Sequence, residues 1–301
     1  MAETTGSIEF CMDDEVFQTG YKIFGELEPG TCPLLALHGG PGMPHSYILP
    51  IAELTASKGI PVIFYDQLGC GMSTHLPSKP KDFWTVELFM AELDNIISHL
   101  GIADAFDLYG QSWGGMLAAN YVVSRNPKGL RRLIISDSPA SIELWTAANN
   151  VLLSAFSHEF REMLRKHELG GTTDSLAYQQ GIQQFNEKHI CTVSPWPDVL
   201  IEAFAAVDAD PTVYSTMIGP SEFNITGTLK TWSIVDDLHK ISAPTLLISG
   251  KYNQAQDIAI LPFFQKIGKV KWVQFAQSSH TPIFEEKKRY LEVVADFLAD
   301  C

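Results

Sequence analysis

Ala105-Phe106-Asp107-Leu108-Tyr109-Gly110-Gln111-Ser112-Trp113-Gly114 runs directly into a helix-like stretch from Gly115 to Arg125. An apolar strand, a G-x-S-x-G turn and a helix in direct succession describe a turn so tight that only glycines tolerate its flanking contacts. Such a turn lifts the Ser112 Oγ out of a sheet and sets it at a helix N-terminus, where the dipole favours negative charge. The five-residue pattern alone is weak, since a chain of 301 residues contains it by accident on the order of 0.1 times at ordinary Gly and Ser usage. Strand before and helix after make Ser112 a candidate nucleophile; the competing reading is a turn with no chemistry.

Working outward, the same punctuation recurs. Cys32-Pro33-Leu34-Leu35-Ala36-Leu37 enters His38-Gly39-Gly40-Pro41-Gly42, and Ile60-Pro61-Val62-Ile63-Phe64-Tyr65 enters Asp66-Gln67-Leu68-Gly69-Cys70-Gly71. Further apolar runs lie at 130–136, 244–249 and 270–275. Short apolar runs ending in glycine loops read as buried strands. Their alternation with helical patterns predicts right-handed crossovers and a mostly parallel, doubly wound α/β sheet. Between 139 and 235 the alternation stops and the pattern becomes helical, rich in Trp, Phe, Ala and Gln. The predicted organisation is therefore a core of 1–138 and 236–301 with a helical cap, 139–235, set over the carboxyl ends of the strands where ligands bind.

Composition narrows the function classes. With 46% hydrophobic and 19% charged residues the chain has globular proportions, and 21 Lys+Arg against 35 Asp+Glu leave a formal charge of -14. A surface that acidic repels phosphate backbones and anionic lipids, so neither nucleic acid nor membrane is an expected partner. The opening MAETTGSIEF has neither the basic nor the apolar region of a signal peptide, and the expected location is cytoplasmic. Five scattered cysteines, Cys11, Cys32, Cys70, Cys191 and Cys301, show neither a disulfide framework nor a zinc spacing. No Walker A or Rossmann fingerprint occurs, so no metal and no cofactor is implied.

The glycine loop at 38–42 is positioned so that the Gly40 N–H, together with that of Trp113, would face a developing oxyanion; the competing reading is a plain chain reversal. Of the nine histidines, His280 lies after the last predicted strand and before the terminal helix. That place suits a base in the chain order nucleophile, acid, histidine.

His38-Gly39-Gly40-Pro41-Gly42, Tyr65 to Gly71, Gly110 to Gly115 and Gly219-Pro220-Ser221-Glu222-Phe223 together resemble the prolyl aminopeptidases (proline iminopeptidases) of the α/β-hydrolase fold. The resemblance runs from about residue 20 to the C-terminus. It implies a hydrolase that removes an N-terminal residue from small peptides or amides with a Ser–Asp–His triad, Glu222 anchoring the substrate's ammonium group. The family's G-E-Y-D-E segment, source of the triad acid and of a second ammonium anchor, reads here Gly250-Lys251-Tyr252-Asn253-Gln254. Both carboxylates have become amides. An Asp-to-Asn change in a serine protease triad lowers turnover by about 10⁴, so three readings stay open. Asp137, one strand after the nucleophile strand, is the relocated acid; or Asp257 is; or none exists, and Asn253 orients His280 as a hydrogen-bond acceptor.

The expected reaction is cleavage of a small amide, peptide or ester by Ser112 and His280, with Asp137 at the histidine. Substrate contacts are expected from Gly39, Glu222, Asn253, Gln254, Trp145 and Trp232, with Trp196 also near an apolar pocket; for the three tryptophans the competing reading is packed core of the cap. The alternative is a repurposed hydrolase performing a non-hydrolytic step: cyclisation, elimination or carbon–carbon bond chemistry.

Overall fold

Strands without polar residues must be covered on both faces, and the apolar runs are. The computed structural model describes residues 2–12 and 14–299; Cys301 lies outside the described residues, and Cys11, Cys32, Cys70 and Cys191 are free thiols. The strands are β1 (Glu3–Met12), β2 (Glu15–Phe24), β3 (Leu34–Leu37), β4 (Val62–Tyr65), β5 (Phe106–Gln111), β6 (Leu130–Ser136), β7 (Thr245–Gly250) and β8 (Val270–Phe275). Among the described residues they form one sheet in the order β1-β2-β4-β3-β5-β6-β7-β8. β1 and β2 pair antiparallel and β2 joins β4 antiparallel; every later pairing is parallel. The six strands expected from the sequence all form. The N-terminal hairpin, which carries no such signature, adds two more.

Successive strand residues alternate between two cores. Leu35, Leu37, Ile63, Leu108, Leu133 and Leu247 face one, and Leu34, Ala36, Phe64, Tyr109, Ile134 and Leu246 the other. Among the described residues the helices are α1 (Glu53–Lys58), α2 (Val86–His99), α3 (Trp113–Arg125), then α4 (Ile142–Ser154), α5 (His158–Gly170), α6 (Leu176–His189), α7 (Asp198–Ala209) and α8 (Thr212–Met217), and finally α9 (Asp257–Lys266), α10 (Pro282–Glu285) and α11 (Lys287–Ala299). Thr85 caps α2 by accepting from Leu88 N, and Ser141 caps α4 by accepting from Leu144 N, as short hydroxyl side chains do. The helical segment α4–α8 leaves after β6 and returns before β7, and its two ends are joined by a bridge between Ser141 and Ser233. Among the described residues no helix is long and apolar enough to cross a membrane.

One carboxyl is buried deep in this core. Glu92 on α2 accepts from Thr19 Oγ1 at 2.6 Å and from Leu68 N at 3.1 Å, and burial pushes it up to about 8 despite those bonds. The folded chain therefore keeps a proton that the unfolded chain releases near the ordinary value of 4.5. Folding stability should fall as pH rises across that window and level off above about 8, by on the order of 1 kcal/mol per pH unit. In Glu92→Gln the slope of urea-unfolding stability between pH 5 and pH 8.5 should shrink; an unchanged slope would place the titration elsewhere.

Candidate active site

The turn between β5 and α3 places Ser112 at φ 54°, ψ −122°, a conformation that costs energy for any residue with a side chain. Its neighbours explain why the chain can bend there: a Cβ on Gly110 would run into the Gly114 carbonyl, and one on Gly114 into the Leu37 carbonyl. Ser112 N donates to Ser136 O at 2.9 Å and Ser138 Oγ to Ser112 O at 2.6 Å, so β6 braces the turn from one side. The Trp113 indole donates to Gln67 Oε1 at 2.8 Å and bolts the helix start to the loop after β4.

The glycine loop after β3 arrives beside Ser112 through Gly40, at φ 110°. Among the described residues neither the Gly40 nor the Trp113 backbone N–H has a protein acceptor. Two free amides beside a serine are what a tetrahedral oxyanion needs. The Gly39 amide is different: it donates to Tyr47 Oη at 2.6 Å. The expectation that Gly39 meets substrate is corrected, because its donor is engaged and it packs against Tyr47, Gln111 and Ser112.

His280 is 7% exposed and shares a cavity with Ser112. Its Nδ1 faces Asn253 Oδ1 at 2.7 Å. Asn253 is fully buried behind it, and its Nδ2 donates to Asp137 Oδ1 at 2.8 Å while Ala255 N donates to its Oδ1 at 2.9 Å. Asp137 also accepts from Gly250 N at 3.1 Å and Ser136 Oγ at 2.7 Å. The expected direct contact of Asp137 with His280 is thus corrected. Among the described residues no hydrogen bond joins the two, because Asn253 occupies the space between them. Asn253 in turn serves the histidine and does not line the cavity, against the expectation that it binds substrate. Asp257 opens α9 and accepts from Gln274 Nε2 at 2.7 Å, turned to β8 and not to the histidine.

The polarity of this chain can be read without ambiguity. Ala255 N–H is a donor, so it fixes Oδ1; the Asp137 oxygen next to Nδ2 accepts, so it fixes the amide nitrogen. Oδ1 therefore faces His280, Nδ1 must carry the ring proton, and Nε2 is left with a lone pair. Burial, with no carboxylate at the ring, pushes His280 down to about 3. Burial also pushes Asp137 well above the usual carboxylate range, against the Ser136 and Gly250 bonds. Two positioning residues were missed from the sequence, Gln111 having no signal beyond its place in the nucleophile motif and Tyr47 none: Gln111 Nε2 donates to the His280 carbonyl at 3.1 Å, and Tyr47 Oη donates to Gln111 Oε1 at 2.5 Å.

The cavity above Ser112 and His280 measures about 930 Å³ and is walled by α6, α7 and the 219–223 segment. Glu222 and Gln254 both line it, as does Trp196. Glu222 accepts from Tyr214 Oη at 3.1 Å, and burial pushes its carboxyl up to about 7. A second recess of about 20 Å³ opens on the other side of Ser112, between Pro41, Trp113, Met116, Ile142 and Trp145, with Glu222 at its edge. Trp145 stands edge-on to His280, ring centroids 6.0 Å apart, and donates to the Glu222 carbonyl at 3.2 Å. Trp232 lines neither space. Its indole donates to Asn120 Oδ1 on α3 at 3.2 Å, so the expectation that it touches substrate is corrected: it ties the returning end of the helical segment to the core.

The buried side chains of His38, Asp66 and Cys70 place three potential metal ligands within 4.8 Å of one another. Their donor atoms are engaged: His38 Nε2 accepts from Gln67 N at 2.9 Å, and Asp66 accepts from His45 Nδ1 at 2.8 Å and Met72 N at 2.9 Å. With Cys70 Sγ donating to Gln67 O at 3.3 Å, the cluster braces the loops after β3 and β4.

A serine on a strand-to-helix turn of a parallel sheet, with a histidine from the loop after the last strand and a helical segment above, defines an α/β hydrolase, and the model of the alpha/beta hydrolase fold family matches residues 33–287. The proline iminopeptidase of Clostridium botulinum is 33% identical over 282 residues, covering 94% of each chain; that of Thermoplasma volcanium is 32% identical over 291 residues, covering 96% of this chain and 97% of the other. Among solved structures, VinJ superposes with a TM-score of 0.93 at 41% identity over 98% of both chains. The proline iminopeptidase of Mycobacterium smegmatis does so with 0.88 at 41% over 97% of both. The chain belongs to the proline iminopeptidase family.

Proposed function

We propose that this chain is a serine hydrolase that cleaves a small amide, peptide or ester, with Ser112 as nucleophile, His280 as base and an amide in place of the usual triad acid. The observation that carries the reading is the fixed orientation of Asn253, held by Asp137 and the Ala255 amide, which leaves the His280 Nε2 lone pair free. Nε2 takes the Ser112 proton as Oγ bonds to the substrate carbonyl carbon, and the Gly40 and Trp113 amides accept the resulting oxyanion charge. The proton then passes to the leaving nitrogen or oxygen as its bond to carbon breaks. Water, deprotonated by the same Nε2, releases the acyl group and restores Ser112.

An aspartate would stabilise the imidazolium formed in each step; Asn253 contributes only its carbonyl dipole. Asp137 is a positioning residue in this scheme. Its Oδ1 accepts from Asn253 whether or not the carboxyl is ionised, so it holds the tautomer in either state. Helices α4–α8 act as the cap, and Glu222 with Gln254 receives the substrate's amino end, one charged anchor and one neutral.

Turnover of p-nitroanilides and p-nitrophenyl esters by the wild type should exceed that of Ser112→Ala by at least about 10³. If the two are equal on every substrate, the hydrolase reading is wrong. The alternative in that case is a non-hydrolytic step in the same cavity, a cyclisation, elimination or carbon–carbon bond step without an acyl-enzyme.

A further inference from the structure

The two spaces flanking Ser112 differ in size by more than an order of magnitude, about 20 Å³ against about 930 Å³. On the reading above the acyl part is a single amino-acid residue whose amino end reaches Glu222, which borders both spaces, so the leaving group is the larger substituent and extends into the cavity under α6 and α7. The cavity has an unusual charge content. Among the described residues lining it there is no Lys and no Arg. Its carboxyls are Glu222 inside, raised to about 7 by burial, and Glu187 and Asp208 exposed at the rim. Gln179, Gln183 and Asn186 supply neutral amides between them. His280 adds no cation, because burial holds its ring down to about 3.

A carboxylate brought into such a space loses water and gains no cation, a cost that amide donors only partly offset. Moving outward does not relieve it, because the rim carries Glu187 and Asp208. A neutral polar chain meets donors and acceptors throughout, and a cation meets three carboxyls. Resting on the hydrolase reading above, we infer that the preferred substrate is an amide or ester with a large leaving group that bears no carboxylate, so that free dipeptides are poor substrates and their C-terminally amidated or cationic counterparts are good ones.

The test uses pairs differing only at that group: Pro-Phe and Ala-Phe as free acids against Pro-Phe and Ala-Phe amides, as substrates for the wild type and as calorimetric ligands for Ser112→Ala. Losing one charged interaction without replacement predicts a ratio of at least about tenfold in favour of the amides, in kcat/KM and in Kd. Gln183→Lys, on an exposed position of the cavity wall, should narrow the ratio by improving the free acids. Equal or inverted ratios, no binding of either ligand, or an unchanged ratio in Gln183→Lys would overturn the inference. Absence of turnover with the binding preference intact would overturn the hydrolase reading and sustain this one.

Discussion

Asn253→Asp combined with Asp137→Ser is expected to raise kcat on an activated amide by about 10² to 10³, since it supplies the imidazolium with the carboxylate it lacks. The gain should stop short of the about 10⁴ that separates Asp from Asn in a serine protease triad, where the amide also imposes the wrong tautomer. Here the tautomer is already correct, because the Asn253 amide is pinned by Asp137 and by the Ala255 N–H. Only the charge is missing.

The two single variants make the prediction sharper. Asp137→Ser alone removes one of the two groups that pin the Asn253 amide and leaves the Ala255 N–H at Oδ1; the loosened amide presents its nitrogen to His280 part of the time, and kcat should fall by about tenfold. Asn253→Asp alone sets two carboxyls where the present hydrogen bond of 2.8 Å lies. Two such groups cannot both ionise, so they share a proton. Burial already pushes Asp137 up, so the proton resides there and the new carboxylate faces the histidine, giving a partial gain. Asp137→Ser should thus harm the wild type and help the Asn253→Asp variant. A coupling of that sign separates positioning from simple structural damage, and additive losses would remove Asp137 from the mechanism. The pH profile is a second readout. With His280 held at about 3, no acid limb from it should appear above pH 5 in the wild type. A carboxylate beside the ring raises that pKa, and since only the neutral imidazole acts as base, activity in the double variant should fall on acidification through the new value.

What was legible in the sequence follows from the range of the interactions. β3 and β4 are buried on both faces, so they appear as uninterrupted apolar runs, Leu34–Leu37 and Val62–Tyr65. β1 and β2 are half exposed at a sheet edge, with Glu3, Thr5 and Lys22 among their residues, and that mixed surface resembles a loop. The nucleophile turn is local, five residues whose glycines are demanded by contacts with one another, and it was readable. The partnership of Asn253 with Asp137 is not local. It spans 116 positions and exists because β6 and β7 are neighbours, Ser136 opposite Ile248. The sequence shows that an acid is absent and a new carboxyl present, but not that the amide stays between them. Trp232 failed for the same reason: its partner Asn120 lies 112 positions away, and an indole that donates to a core helix has the same sequence signature as one that lines a pocket.

Glu222→Gln is expected to lower kcat/KM for substrates with a free amino group by about 10², because a desolvated ammonium loses the buried carboxylate beside it in a site where Gln254 is already neutral and Glu187 and Asp208 lie out at the rim. N-acylated counterparts of the same substrates should change by less than about threefold, since they place no charge there. The pH dependence gives the residue a signature that loss of packing would not produce. Burial raises the Glu222 carboxyl to about 7 in the free protein, and only its ionised form attracts ammonium. In the wild type, kcat/KM for free-amine substrates should therefore rise with pH through about 7 and fall again as the substrate amine itself deprotonates, at about 8 for an ordinary α-amino group. In Glu222→Gln the rising limb should vanish while the falling one remains, and N-acylated substrates should show neither. Tyr214→Phe, which removes the 3.1 Å hydrogen bond to the carboxyl, should shift the rising limb to higher pH without abolishing it, because the charged form loses a donor that stabilises it. If free-amine substrates keep both limbs after Glu222→Gln, the ammonium group is held elsewhere in the cavity.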